Sequence, residues 1–198
     1  MDRGVTLSSS RIDRCQLRRG DHIYTWRKSA LNVYSHHGIY ESDSKVIHFT
    51  MSCSPTQTCW DCAQANRKGG VIITCLDCFL GTGDICLFAY SVPLWFHAMA
   101  NPGIQVTCSM EPQDPPETVL HRANKLLADG FASYNLLANN CMHFALYCKT
   151  GHHTKQSVIK LHPAPAILGI NYPSRPLGKA VAGFALTASL IKSFGKHH

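Results

Sequence analysis

Strand-forming segments fill the first half of this chain and helix-forming segments follow them, an order that constrains the fold more than any single motif. Short runs rich in Ile, Val, Tyr and Phe stand at His22–Arg27, His36–Tyr40, Lys45–Thr50, Val71–Leu76, Ile85–Tyr90 and Ile104–Cys108, each the length of a strand. Ser42, Asp43 and Ser44 separate the second and third runs with turn-forming residues, which predicts a hairpin with His36 and His48 on neighbouring antiparallel strands. The helical pattern begins at Asp114, a capping residue followed by Pro115 and Glu117. Val119, Leu120, Ala123, Leu126 and Leu127 then share one face up to Gly130, predicting a helix over residues 115–129. A second helix is predicted from Cys141 to about Lys149, capped by Asn139 or Asn140, with Phe144, Ala145 and Cys148 inward and Gly151 as the stop. Pro163, Pro165, Pro173 and Pro176 interrupt residues 152–176 and leave them a linker. Strands first and helices after predict an α+β domain over roughly residues 20–150, an antiparallel β-sheet packed against helices.

With 45% hydrophobic and 16% charged residues, the 198-residue chain is too apolar for disorder and lacks the repeats of collagen or a coiled coil. The N-terminus has arginines but no apolar core of a secretory signal, and the apolar run from Ala180 to Ile191 is well short of the roughly 20 residues a membrane-spanning helix needs. The expected location is therefore cytoplasmic, at most peripheral to a membrane, and not secreted. In such a reducing compartment the 10 cysteines read as metal ligands, a nucleophile or buried small hydrophobes rather than disulfides.

Cys141 would begin its helix just after a capping Asn, where free peptide N–H groups and the helix dipole favour a thiolate and can lower a thiol pKa from about 8.5 toward 7. Spacing alone fits a buried helix-face cysteine as well. His36 and His48 would meet across the hairpin, one able to serve as a base to a thiol and the other to orient it.

Three segments join these signals: RRGDHIYTWR (18–27), YSHHGIYESDSKVIHFT (34–50) and NNCMHFALYCKTG (139–151). Together they resemble the lecithin retinol acyltransferase-like (LRAT) family of permuted papain-like thiol enzymes, and its plant NC-domain or lead-sensitive type in particular. The resemblance covers residues 18–151, with a cysteine-rich insertion at about 53–80, a basic segment over 1–17 and a Pro-containing linker with a basic, apolar tail over 152–198. It implies a catalytic set of Cys141, His36 and His48, in which His37 matches a variable aromatic position. The implied chemistry is acyl transfer from a phospholipid or other lipid ester through an acyl-cysteine, with no cofactor for catalysis and backbone N–H groups near Cys141 as oxyanion donors. Met142 departs from the family pattern, which has an acid there. A non-catalytic regulatory or scaffold protein on the same fold is the alternative.

Cys59, Cys62, Cys75 and Cys78 form two C-x-x-C pairs whose spacing approaches that of a zinc ribbon, and Cys53 is a spare ligand. The implied cofactor is a structural zinc; the other reading makes VIITCLDCFL a buried strand whose cysteines belong to the core, which disfavours a redox role. Asn66–Gly70 read as the turn between the pairs. Charge is uneven, with +4 over residues 1–30, −4 over 31–148 and +7 over 149–198. The basic C-terminal tail, in which Lys179, Lys192 and Lys196 flank an apolar stretch, suits an anionic membrane surface as well as a helix packed on the domain. A nucleic-acid partner is disfavoured, because aromatics are sparse near the charges and no recognition helix follows the second cysteine pair.

Overall fold

A computed structural model describes residues 10–28, 33–51, 59–101, 106–135 and 139–153. They lie in one compact unit, Ser10–Lys160; Met1–Ser9 and Leu161–His198, with the C-terminal tail, and Cys53 lie outside the described residues. Strands β1 (His22–Lys28), β2 (Val33–Ser42), β3 (Lys45–Thr50), β4 (Gly70–Cys75) and β5 (Cys86–Leu87) form a sheet in the order β4-β3-β2-β1-β5. All its pairings are antiparallel. Helices α1 (Trp60–Lys68), α2 (Leu76–Leu80), α3 (Leu94–Ala100), α4 (Pro116–Asp129) and α5 (Cys141–Thr150) complete an α+β fold. None of the described helices is long and apolar enough to cross a membrane.

The hairpin forms where expected: Asp43 and Ser44 both take positive φ, 45° and 61°, matching the twist of the strands they join. Side chains alternate across β2 and β3, and each face has its own cover. On one face Ile39, Ile47 and Phe49 pack under Val119, Leu120 and Ala123 of α4 and Phe144, Ala145 and Cys148 of α5. On the other, Ile23 and Val46 meet Leu76, Phe79 and Leu80 of α2. Burying each such large apolar side chain contributes about 1.5–3 kcal/mol. Gly38 permits the second contact, since a Cβ there would lie 2.6 Å from the Val46 side chain and 2.9 Å from the Phe79 ring.

Several local expectations are corrected. The apolar run Val71–Leu76 stops being a strand at Cys75, whose sulfur accepts the Cys78 N–H and caps α2. The run Ile85–Tyr90 keeps only Cys86–Leu87 in the sheet, and Ala89 bridges Cys108 in parallel. Helices α1 and α3 were not foreseen; α1 extends through Lys68, so the turn after it shrinks to Gly69 and Gly70, with φ of 63° and 87°. Asp114 does not cap α4, which starts at Pro116 behind Pro115; its carboxylate instead holds Arg122 at 2.6 Å, and that guanidinium also donates to the Cys148 carbonyl at 3.1 Å. Both predicted helix stops, Gly130 and Gly151, adopt positive φ at the C-caps.

Candidate active site and cysteine cluster

Asn140, rather than Asn139, caps α5 and so fixes Cys141 as its first residue. The Asn140 Oδ1 accepts the Met142 and His143 N–H groups at 3.0 and 3.3 Å. Cys141 is buried, and its Sγ lies 3.9 Å from the Ser35 carbonyl oxygen, while the His37 peptide N–H points toward the sulfur and favours its anion. The sulfur therefore stands against the two peptide groups that flank His36. Burial is the largest influence on this thiol and pushes its pKa up, with the N–H groups of His37 and Met142 opposing. The expectation of a lowered thiol pKa is thereby corrected: the helix N-terminus acts in the foreseen direction, but packing α5 onto the sheet removes more solvation than its N–H groups return.

His36 and His48 meet as the hairpin predicts. The His36 Nε2 and His48 Nδ1 are 3.0 Å apart, and the His48 Nε2 is 3.0 Å from the Thr74 hydroxyl. Phe79 of α2 backs both rings, with centroids 5.2 Å from His36 and 5.4 Å from His48. Burial first, then the neighbouring charges of His48 and Arg27, holds the His36 pKa well below 6.5; burial and Arg27 lower that of His48 to about 3. Both rings are thus neutral near pH 7. One tautomer set satisfies the line when His36 serves as a base: His36 Nε2–H donates to His48, and His48 Nε2–H donates to Thr74. The Nδ1 of His36 then has no hydrogen-bond partner among the described residues, and it is not sealed away as a buried unsatisfied atom.

His37 turns to the opposite face. Its Nδ1 lies 2.9 Å from His22 Nε2 and its Nε2 lies 2.8 Å from the Ser35 hydroxyl, while His22 Nδ1 meets the Tyr90 hydroxyl at 2.8 Å. His37 stacks on Tyr24, in keeping with the aromatic position it was matched to. Met142 packs among Tyr24, Cys86, Phe88 and Leu146, an apolar setting in which a carboxylate would be desolvated.

Sequence reasoning missed three contributors. Thr74 is the polar exception in the Val71–Leu76 run and shares a face with His48; that polar interruption was a signal. Phe79 arrives only because α2 folds back. Tyr134, on a loop before α5, lies close enough to Cys141 for the two groups to influence each other's titration, and nothing in its local pattern announces this.

The four predicted cysteine ligands also converge. The Sγ atoms of Cys59, Cys62, Cys75 and Cys78 all lie within 4.8 Å of one another. Cys59 precedes α1, Cys62 lies in its first turn, and Cys75 and Cys78 straddle the start of α2.

Comparison with known proteins identifies the family. The sequence model of a family described as lecithin retinol acyltransferase matches residues 15–154. The chain is also 39% identical over 210 residues to Protein LEAD-SENSITIVE 1 of Arabidopsis thaliana, an alignment covering 92% of this chain and 79% of that protein.

Proposed function

The chain belongs to the lecithin retinol acyltransferase family, and from that premise we propose that it is a thiol-dependent acyltransferase or acyl hydrolase acting on phospholipid or other lipid esters. The observation that carries this reading is the His36–His48–Thr74 line, which fixes one nitrogen of His36 and leaves the other open on the segment of β2 that the Cys141 sulfur touches.

As the Cys141 sulfur forms its bond to the ester carbonyl carbon, the thiol proton passes to His36 Nδ1, and His48 stabilises the resulting imidazolium through Nδ1. Two of the expected oxyanion donors are engaged elsewhere, because the Met142 and His143 N–H groups are held by Asn140. The Tyr134 hydroxyl takes that role, itself backed by the Cys141 N–H. Collapse breaks the carbonyl–alkoxy bond, His36 returns its proton to the departing alcohol, and an acyl-thioester remains on Cys141. An amine, a hydroxyl or water then accepts the acyl group. With a neutral resting thiol, the imidazole must remove the proton during attack, so His36 is needed throughout the pH range in which the thiol is protonated. The basic tail over 152–198 is assigned the anionic membrane surface on which such esters lie, at a cytoplasmic face.

A second reading, a non-catalytic regulatory protein, is favoured by the Cys141 thiol itself, which is buried and directed at a carbonyl rather than an imidazole. Intact-protein mass spectrometry after incubation with phosphatidylcholine vesicles separates the two. A gain of one acyl chain, absent in Cys141→Ala, supports the enzyme; no adduct and no lysolipid with several donor esters supports the scaffold.

A further inference from the structure

We propose that Cys59, Cys62, Cys75 and Cys78 bind one zinc ion as a tetrathiolate centre that fixes the wall behind His36 and His48. The sulfur geometry fits this occupant. Four thiolates at about 2.3 Å from one tetrahedral ion stand about 3.8 Å apart, and Cys59 and Cys78 already place their sulfurs 3.7 Å apart. A disulfide, with sulfurs about 2.05 Å apart, does not fit that separation. Peptide donors are aimed at the cluster as they are around metal-bound thiolates: the Cys75 N–H reaches Cys62 Sγ at 3.2 Å and the Cys78 N–H reaches Cys75 Sγ at 3.4 Å. A zinc tetrathiolate carries two negative charges, and these N–H groups offset part of that charge. The four converging ligands are all sulfur, a set that oxygen-preferring ions such as calcium or magnesium bind poorly, and four sulfurs leave no open position for a reacting water, so the role is structural.

The position of the cluster extends its effect. Cys75 follows Thr74, which bonds His48, and Cys78 precedes Phe79, which lies against both imidazoles. Outside the metal, α2 is a five-residue helix with one sulfur cap, too short to be rigid by itself. Zinc ties its first turn to α1 and thereby holds Thr74 and Phe79 in register with the histidines. Metal binding stands independently of acyl transfer; the value of holding His48 rests on the proposed function.

The test uses the full chain purified under reducing conditions, with metal content measured by atomic emission. About one zinc per chain is expected, falling to near zero in Cys78→Ser and unchanged in Cys15→Ser, an exposed cysteine outside the cluster. Because Cys78→Ser can misfold, wild-type protein is also stripped and refilled with cobalt, which should give the intense visible bands of a tetrahedral thiolate complex. Wild-type protein that holds no zinc and gives no such bands overturns the site, as does a Cys59–Cys78 disulfide found by thiol titration. For the coupling, long-range 1H–15N spectra follow the imidazoles. Removing zinc should shift or broaden His48 and leave His22 in place; an unmoved His48 with zinc stoichiometrically bound overturns the coupling alone. Neither readout needs turnover, so a failure here is distinguishable from a failure of the acyl-transfer reading.

Discussion

Two histidine pairs sit on opposite faces of one sheet, built from consecutive residues of β2, and they are finished differently. Tyr90, the paired imidazole and Ser35 engage all four ring nitrogens of His22 and His37. In His36 and His48, Thr74 closes one end, and the other has no partner among the described residues. All four rings are buried, and burial is the first cause lowering each pKa. Burial and proximity to Cys141 therefore do not distinguish a reactive histidine from a structural one in this chain. Under the proposed function the open nitrogen of His36 does, because a base needs a lone pair, and no described residue occupies that one.

The comparison breaks most sharply on rate. His36→Gln should slow acylation of Cys141 by about 100- to 10,000-fold with little change in urea midpoint, whereas His22→Leu should leave the rate of the folded fraction near wild type; equal losses in both would erase the distinction. Stability should show the reverse. Replacing His22 by Leu strands the Tyr90 hydroxyl and His37 Nδ1, so unfolding in urea should lose about 2–4 kcal/mol.

Acid sharpens the picture further. His37 and His48 have folded pKa values near 3 against 6.5 for the free side chain. Between those values the unfolded chain binds a proton that the folded chain refuses, so stability is full above pH 6.5 and is lost as pH falls. Each such imidazole contributes a slope of about 1.4 kcal/mol per pH unit, and denaturant titrations at pH 7, 6 and 5 should be shallower in His22→Leu. The smallest effect belongs to Thr74→Val, which leaves the His48 Nε2–H unpaired: about 1 kcal/mol of stability and a roughly tenfold drop in acylation, with Thr74→Ser restoring both. A Thr74→Val rate equal to wild type would show that His48 needs no anchor.

Much of this arrangement was legible because it is local. The parity of β2 and β3 and the turn at Ser42–Ser44 suffice to bring His36 to His48, and Asn140 suffices to start α5 at Cys141. What escaped is set by tertiary packing. The run through Cys75 looks equally apolar as strand or helix, so the start of α2, and with it the place of Phe79, depends on a sulfur cap that no periodicity reveals. The upward shift of the Cys141 thiol is of the same kind: the sequence displays the helix terminus, while the desolvation comes from the sheet beneath it. Tyr134 reaches the thiol from a loop, where neither period nor capping chemistry leaves a mark.

Gly38 gives this site its depth. Because no side chain intervenes there, α2 rests almost directly on the backbone of β2, and Phe79 takes its position from the main chain two residues beyond His36 rather than from a movable rotamer. A wall set by peptide geometry has no slack. Even one methyl group at position 38 would work as a wedge, opening the space behind both imidazoles and admitting water to the side of the histidine line that the fold keeps dry.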